Sequence, residues 1–400
     1  MGGFGFRRKG NDLNLHTPRM PPHVYRHIRE KVHAALGQRF IVVASPIESP
    51  GKIDYGDVDV FVCWDTIGRF DECDSVQAIR KCLDATELEN ISLLVGATHA
   101  IVERKQNATA QLAIPWPETA DMETAEESRP RLAQIDFHIC CSLQDLEWQL
   151  FQCAHGDIFW FMHTMLRPFG LTLGVAGLQL RIEEIEDETN NHEIFLSNQP
   201  SQILKFLGLR PEGTEWERPF QSHDGLFDYA STCRFFHDFG DENLSEADRK
   251  RMRSRRVYRA WVEEFLPTYR ARGSFPKTAP SRAQVRDDAM KFFSGPRFLR
   301  TSKSDKEASL FSSVKEAYHA RRLAFRRDQQ IDLYPRVILP CLYDQLPKVL
   351  SVNWLGNAGR ALQSIIMEDD HGYGTWPVKS LKTPEGLYLE SDIREYIRSS

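Results

Sequence analysis

Asp57-Val58-Asp59 lies inside one apolar run, DVDVFVCW, and Asp136 lies inside another, LAQIDFHICC. Alternate side chains of a strand share a face, so Asp57 and Asp59 point one way while Val58 and Val60 point to the core. Asp136 has apolar residues alternating beneath it in the same manner. Two neighbouring like charges on one face are costly unless a cation or water compensates them. Three carboxylates on neighbouring strands make a hard-oxygen cage suited to Mg²⁺ or Mn²⁺. Such a cage can hold two ions around a phosphoryl-transfer centre. An acid-x-acid strand is a weak motif when it stands alone, because most such acids face solvent.

The elements around these acids follow from periodicity and breakers. Pro21-Pro22 opens a helix with Val24, Ile28, Val32 and Leu36 on one face, and Gly37 is placed to stop it. Phe40–Ala44 reads as a short buried strand. Ser45–Gly56, with Pro46, Pro50, Gly51 and Gly56, reads as a loop leading into the strand Asp57–Trp64. A helix over Ser75–Leu83 buries Val76, Ile79 and Leu83. Ser92–Val102 and Thr109–Trp116 form a hairpin whose turn carries Arg104 and Lys105, and polar Pro117–Pro130 is a surface loop. Leu132–Cys141 is the strand of Asp136. Helices then dominate, over Leu143–Ala154, Asp157–Leu166, Ser245–Leu266 (ended by Pro267) and Val314–Arg327.

Helix, strand, small-residue loop, acid-x-acid strand, hairpin and third-acid strand, in that order, resemble the DNA polymerase β-like nucleotidyltransferase superfamily. That family's pattern has a strand ending in Gly-Ser or Gly-Gly, a spacer, the acid-x-acid strand, and a later acid between apolar residues. Here the chain reads Val43-Ala44-Ser45, eleven further residues, Asp57-Val58-Asp59, and downstream Ile135-Asp136-Phe137. It is similar above all to nucleotidyltransferase-like proteins with a long helical C-terminal region, of the kind seen in fungi. The likeness spans residues 20–185 and implies an α+β chain. Its catalytic domain would be an α/β domain with a mixed sheet, followed over 186–400 by a mainly helical, partly basic region.

The resemblance implies transfer of a nucleoside monophosphate from an NTP, ATP first, to an acceptor hydroxyl, with pyrophosphate leaving. Asp57, Asp59 and Asp136 would be both catalytic residues and ligands of Mg²⁺ or Mn²⁺, with Asp136 on the acceptor side. Ser45 and Lys52 would meet the nucleotide. Ala44 departs from the family pattern, because glycine there lets the backbone approach a triphosphate more closely. His138, two residues beyond Asp136, shares its face and is read as a hydrogen-bonded structural residue. Arg167-Pro168-Phe169-Gly170 reads as a helix stop rather than part of a nucleotide pocket.

Charge supplies a second signal. The chain has 51 Lys/Arg and 56 Asp/Glu, a net of −5. Residues 241–340 alone hold 23 Lys/Arg against 13 Asp/Glu, so a basic segment sits on an acidic body. Arg249, Arg253 and Arg256 lead a cluster of cations there and are the candidate acceptor contacts if the acceptor is RNA. The alternatives are a protein or small-molecule acceptor, or a catalytically silent binding protein. In the silent case the same arginines serve to dock helix onto body. With 41% hydrophobic and 27% charged residues the chain reads as an ordinary globular protein. No apolar run is long enough to span a membrane, no signal peptide opens it, and its eight cysteines lack CxxC spacing. These features point to a reducing compartment, cytoplasm or nucleus.

Overall fold

Both faces of the strand that carries Asp57 and Asp59 are covered, and this fixes the first sheet. Val58, Val60 and Val62 are fully buried on one side, while Phe61 and Cys63 are buried on the other. In the computed structural model the strands are β1 (Phe40–Ala44), β2 (Asp57–Asp65), β3 (His99–Val102), β4 (Thr109–Pro115) and β5 (Leu132–Ile139). They form one mixed sheet in the order β1-β2-β5-β4-β3. Only β2 and β5 run parallel; the other pairs are antiparallel. The structure describes residues 6, 15–102, 109–117, 129–187, 192–210, 216–238, 244–276, 278–294, 313–330, 332–345, 352–368, 370–375, 377 and 380–399. Arg104, Lys105 and most of the polar stretch 117–130 lie outside the described residues.

Helix α1 (Pro22–Leu36) lays Val24, Ile28, Val32 and Leu36 onto the Val58 side of the sheet, as its spacing predicts. Three expectations change here. Strand β1 is an edge strand, so only Phe40 is buried and Ile41 is 69% exposed. The stretch expected to be a hairpin limb from Ser92 begins instead as helix. After α2 (Val76–Cys82), α3 (Ala85–Val95) is capped by Asp84, which accepts from Glu87 N, and closed by Gly96 at φ +73°. Ile91 and Val95 fall on its buried face, and the strand starts only at His99. In α2, Ile79 is buried but Val76 is 37% exposed, because it sits in the helix's first turn.

After β5 come α4 (Leu143–Cys153) and α5 (Ile158–Leu166), followed by a three-stranded sheet that the sequence reading lacks. Its strands β6 (Leu171–Gly174), β7 (Gly177–Arg181) and β8 (Glu193–Ser197) are too short for alternation to declare them. A 3₁₀ turn, Arg167–Phe169, ends α5 with Gly170 left-handed at φ +75°, the helix stop foreseen there. Helices α6 (Pro200–Phe206), α7 (His223–Ser231), α8 (Glu246–Ser254), α9 (Arg256–Ala260), α10 (Leu266–Ala271) and α11 (Arg282–Phe292) follow.

The helix expected over Ser245–Leu266 is broken. Ser245 does open it, with a full capping box to Asp248. Arg255 then turns extended (φ −125°, ψ 106°), and α9 starts afresh. Asp157 drives the break, since its carboxylate accepts from Tyr258 N (3.0 Å) and from Arg255 Nη1 (2.8 Å), capping α9 from another segment. Pro267 does not end the run. A π-helical turn, Trp261–Phe265, absorbs the hydrogen bond that proline cannot make, and Pro267 sits in the first turn of α10.

These elements belong to one compact unit, residues 1–180 with 195–310. A second unit comprises residues 181–194 with 311–400. Its elements are α12 (Val314–Gln329), a π turn (Tyr334–Ile338), α13 (Leu339–Gln345), α14 (Val352–Met367) and α15 (Glu390–Ser399). Leu333, Val337, Ile338, Ile366, Ile393 and Ile397 make its core. Among the described residues all eight cysteines are free, and no helix is long and apolar enough to cross a membrane.

Asp248 is the electrostatic hub of the helical part of the first unit. Fully buried, it accepts from Arg167 (2.8 Å), Arg251 (2.6 Å) and Ser245 Oγ (2.6 Å). Burial pushes its pKa up, but these hydrogen bonds prevail and hold it at about 2. Asp248→Asn leaves two guanidinium groups short of a counter-charge and should cost about 3 kcal/mol of unfolding free energy in urea titrations at pH 7. The contribution of the ionised carboxylate is fully present above the unfolded pKa of 3.8 and disappears as pH falls through about 2. The variant and the parent should therefore converge in stability at the acid end.

Candidate active site

The parallel register of β2 and β5 sets Asp57 opposite Gln134 and Asp59 opposite Asp136. All four side chains therefore share one sheet face, together with Phe61 and His138 a rung further on. Gln111 on β4 stands opposite Asp136 on the same face. Gln134 Nε2 donates to Asp136 Oδ1 at 2.7 Å. His138 stacks on Phe61 (centroids 4.3 Å apart) and brings Nε2 to 3.6 Å from Asp59 Oδ1. The three acids named from the sequence are thus brought together on one face. The flanking amides Gln111 and Gln134 were missed there, although Gln134 carries a period-two signal, two residues before Asp136.

Charge on this face is poorly compensated. Burial, and then the Asp59 carboxylate, push Asp57 up to about 6, while Lys52 pulls the other way. Burial, and then Asp57 and Asp59, push Asp136 up to about 7, against the opposing pull of Gln134 and His138. Asp57, Asp59 and Asp136 are partly buried, and the fully buried acids of the unit are treated differently. Asp65, at the far end of β2, takes a two-pronged bond from Arg39 (3.0 and 2.9 Å), and Glu87 shares the same guanidinium. Asp157 has Arg255, and Asp248 has Arg167 and Arg251. Among the described residues no lysine or arginine is ion-paired with Asp57, Asp59 or Asp136.

Carboxylate and amide oxygens are the donors that Mg²⁺ and Mn²⁺ prefer, and a bound cation would reverse the upward shifts. The donor set therefore fits such an ion. Among the described residues no three His, Cys, Asp or Glu side chains are already gathered as a ligand set. Binding would have to draw the carboxylates together against the repulsion that an ion removes.

Ser45 and Lys52 flank the acids with protein partners of their own. Ser45 Oγ donates to the Asp59 carbonyl oxygen at 2.7 Å. His33 Nε2 lies 2.8 Å from the same hydroxyl and must be its donor, because the only hydroxyl proton is already used. Lys52 Nζ pairs with Glu48 (2.6 Å), lies over the Tyr55 ring (4.6 Å), and is felt electrostatically at Asp57. Tyr25, stacked on Tyr55, also donates to Glu48. The loop is therefore an organised strap clipped to β2.

The basic cluster divides into two groups. Arg251 and Arg255 lie over Trp160 (4.1 and 5.4 Å) and pair with Asp248 and Asp157, so these two do the docking. Arg249, Arg253 and Arg256 are exposed. Arg256 is near enough to Asp54 to be felt by it.

Raised carboxyl pKa values give a definite pH signature. The folded form holds protons that the unfolded chain releases above pH 3.8, so stability falls as pH rises through about 6 and 7. Asp136→Asn should raise stability by about 1–2 kcal/mol at pH 8, a screened fraction of the ~1.4 kcal/mol per pKa unit, and change little at pH 4. Thermal melts of both proteins at the two pH values check it. Equal effects at both would show that Asp136 carries no such penalty.

No protein-family model matches the chain, and no curated protein matches it. The site therefore rests on its own geometry.

Proposed function

We propose that this chain is a metal-dependent, template-independent nucleotidyltransferase. It would move a nucleoside monophosphate from an NTP, probed first with ATP, to an acceptor hydroxyl. The observation that carries this reading is the in-register set Asp57, Asp59 and Asp136, partly buried on one sheet face and, among the described residues, not ion-paired with a lysine or arginine. Asp57 and Asp59 would hold Mg²⁺ or Mn²⁺ on the triphosphate side and Asp136 on the acceptor side. Bound there, the ions supply charge neutralisation for an in-line phosphoryl transfer. The protein contributes position: the β2–β5 ladder fixes the carboxylates, Gln134 orients Asp136, and the strap from Ser45 to Gly56 lies beside them.

A silent binding protein is the second reading. It is favoured by the engagement of Ser45 with Asp59 and of Lys52 with Glu48, which leaves neither group idle for a phosphate.

Incubating the full chain with each labelled NTP, Mg²⁺ or Mn²⁺, and separate RNA, protein and small-molecule pools decides between the readings. Label should enter one pool, and Asp59→Ala should lower the rate about 10²-fold or more. Labelling that survives in Asp59→Ala, or none in any pool, would remove the enzymatic reading. If RNA is the labelled pool, Arg249, Arg253 and Arg256 together changed to Ala should weaken RNA binding. The triple change should also flatten the salt dependence by about 2 in logarithmic slope. Melting temperature should stay put, because the docking arginines are Arg251 and Arg255.

A further inference from the structure

Beside the acid face the first unit contains a cavity of about 810 Å³. Leu150 and Phe151 of α4 form one wall, Leu204 of α6 another, and Trp216 a third. Ser45 lies at its edge, the residue whose hydroxyl is bonded to the Asp59 carbonyl. Leu150 also packs against the cluster of Phe61, Cys63, Cys140 and Leu146, so the cavity sits on the same side of the sheet as the three acids. His155 ties its walls together. Its backbone N–H donates to Ile47 O (2.7 Å), and its Nε2–H donates to Trp216 O (2.7 Å). The residue is fully buried and held at φ +54°, so the walls are joined before any ligand arrives.

The size falls within the range of about 300–1,000 Å³ typical of small-molecule sites. Trp216 and Phe151, with ring centroids 4.9 Å apart and planes tilted by 36°, form the aromatic part of its lining. Among the described residues the ionisable side chains lining the cavity are Glu147 and Glu217, both exposed, and no Lys, Arg or His lines it. Phosphate recognition needs cationic or N–H donors. Two carboxylates at the mouth repel a phosphate and attract an ammonium, while the aromatic wall accepts either a ring or a cation.

We infer that this cavity takes the acceptor, a small neutral or cationic organic molecule with an apolar body and a hydroxyl group, rather than a nucleic acid. The word acceptor rests on the nucleotidyltransferase reading; the ligand chemistry of the cavity does not. In the transfer the acceptor oxygen bonds to the α-phosphorus and loses its proton to solvent. The bond from the α-phosphorus to the β-phosphate's bridging oxygen breaks, and pyrophosphate leaves with that oxygen and its electron pair.

Calorimetric titration of the full chain with three matched probes tests the inference: phenylethanolamine, 2-phenylethanol and phenyl phosphate. The amine should bind tightest and phenyl phosphate at least about tenfold more weakly than the alcohol. Glu147→Gln with Glu217→Gln should bring the amine down to the alcohol's affinity. Ser201→Trp, at an exposed rim position and so harmless to folding, should block both. Equal or tighter binding of phenyl phosphate, no binding of either alcohol, or binding untouched by Ser201→Trp would overturn the ligand class. Probe binding without label transfer from any NTP would leave the cavity standing and remove its role as acceptor site. RNA labelling that is unchanged in Ser201→Trp would keep nucleotidyl transfer and discard this cavity as the acceptor's place.

Discussion

Compensation of buried carboxylates organises the first unit. Asp65 and Glu87 converge on Arg39 and so tie α3 to the end of β2. Asp157 caps α9 and holds Arg255, and Asp248 gathers Arg167, Arg251 and the start of α8. Each buried acid joins segments distant in sequence, and each is stable because a guanidinium replaces the water it lost. Asp57, Asp59 and Asp136 stand against that background. The pKa values of Asp57 and Asp136 rise where those of Asp65 and Asp248 fall, and on β2 itself the two behaviours lie eight residues apart. Among the described residues no lysine or arginine pairs with these three, which keep part of their solvent exposure, and the hydrophobic register beneath them fixes their face. Val58, Val60 and Val62 on β2 and Ile135 and Phe137 on β5 are buried almost completely. A slip of one residue would bring those apolar side chains to the acid face and send Asp136 into the core. Core packing thus enforces the charge placement.

Much of this arrangement was legible in the sequence because it is written in local periodicity. The stripe of α1, the alternation of β2 and β5 and the Ser245 capping box each depend on a few neighbouring residues. What failed to show depends on partners far away. The edge position of β1 follows from sheet order, which no strand encodes by itself, so the apolar run Phe40–Ala44 reads as buried although Ile41 is exposed. Helix α3 was hidden because Ser92–Val102 mixes a helix end with a strand. Only Gly96, left-handed, Ala97 and Thr98 separate them. The break at Arg255 needed Asp157, nearly a hundred residues upstream. The short strands β6 to β8 carry too few residues for a period to declare itself.

The basic segment shows the limit of charge counting. Seven cations between Arg249 and Arg259 look alike as a run. The fold assigns two of them, Arg251 and Arg255, to Trp160 and to buried acids, while Arg249, Arg253 and Arg256 stay in solvent. Docking thus falls to Arg251 and Arg255, and the exposed Arg249, Arg253 and Arg256 are left open to the polyanion contact proposed for them. Position relative to Asp157 and Asp248 makes the division, and net charge carries no trace of it.

Ala44 joins the strap to the acid face. It pairs with Phe61 in the β1–β2 ladder, and its methyl group packs against the cluster of Phe61, Cys63, Cys140 and Leu146 on that side of the sheet. The same methyl keeps any phosphate from lying against the backbone at position 44 as closely as glycine would allow. In the proposed transfer, a triphosphate held through an ion on Asp57 and Asp59 would then sit further along the strap, toward Lys52, whose charge already reaches Asp57. To meet it, Lys52 would have to exchange Glu48 for phosphate. Its pair with Glu48 is a partly exposed one, of the kind worth about 1 kcal/mol or less, so the exchange is small against a multiply charged ligand.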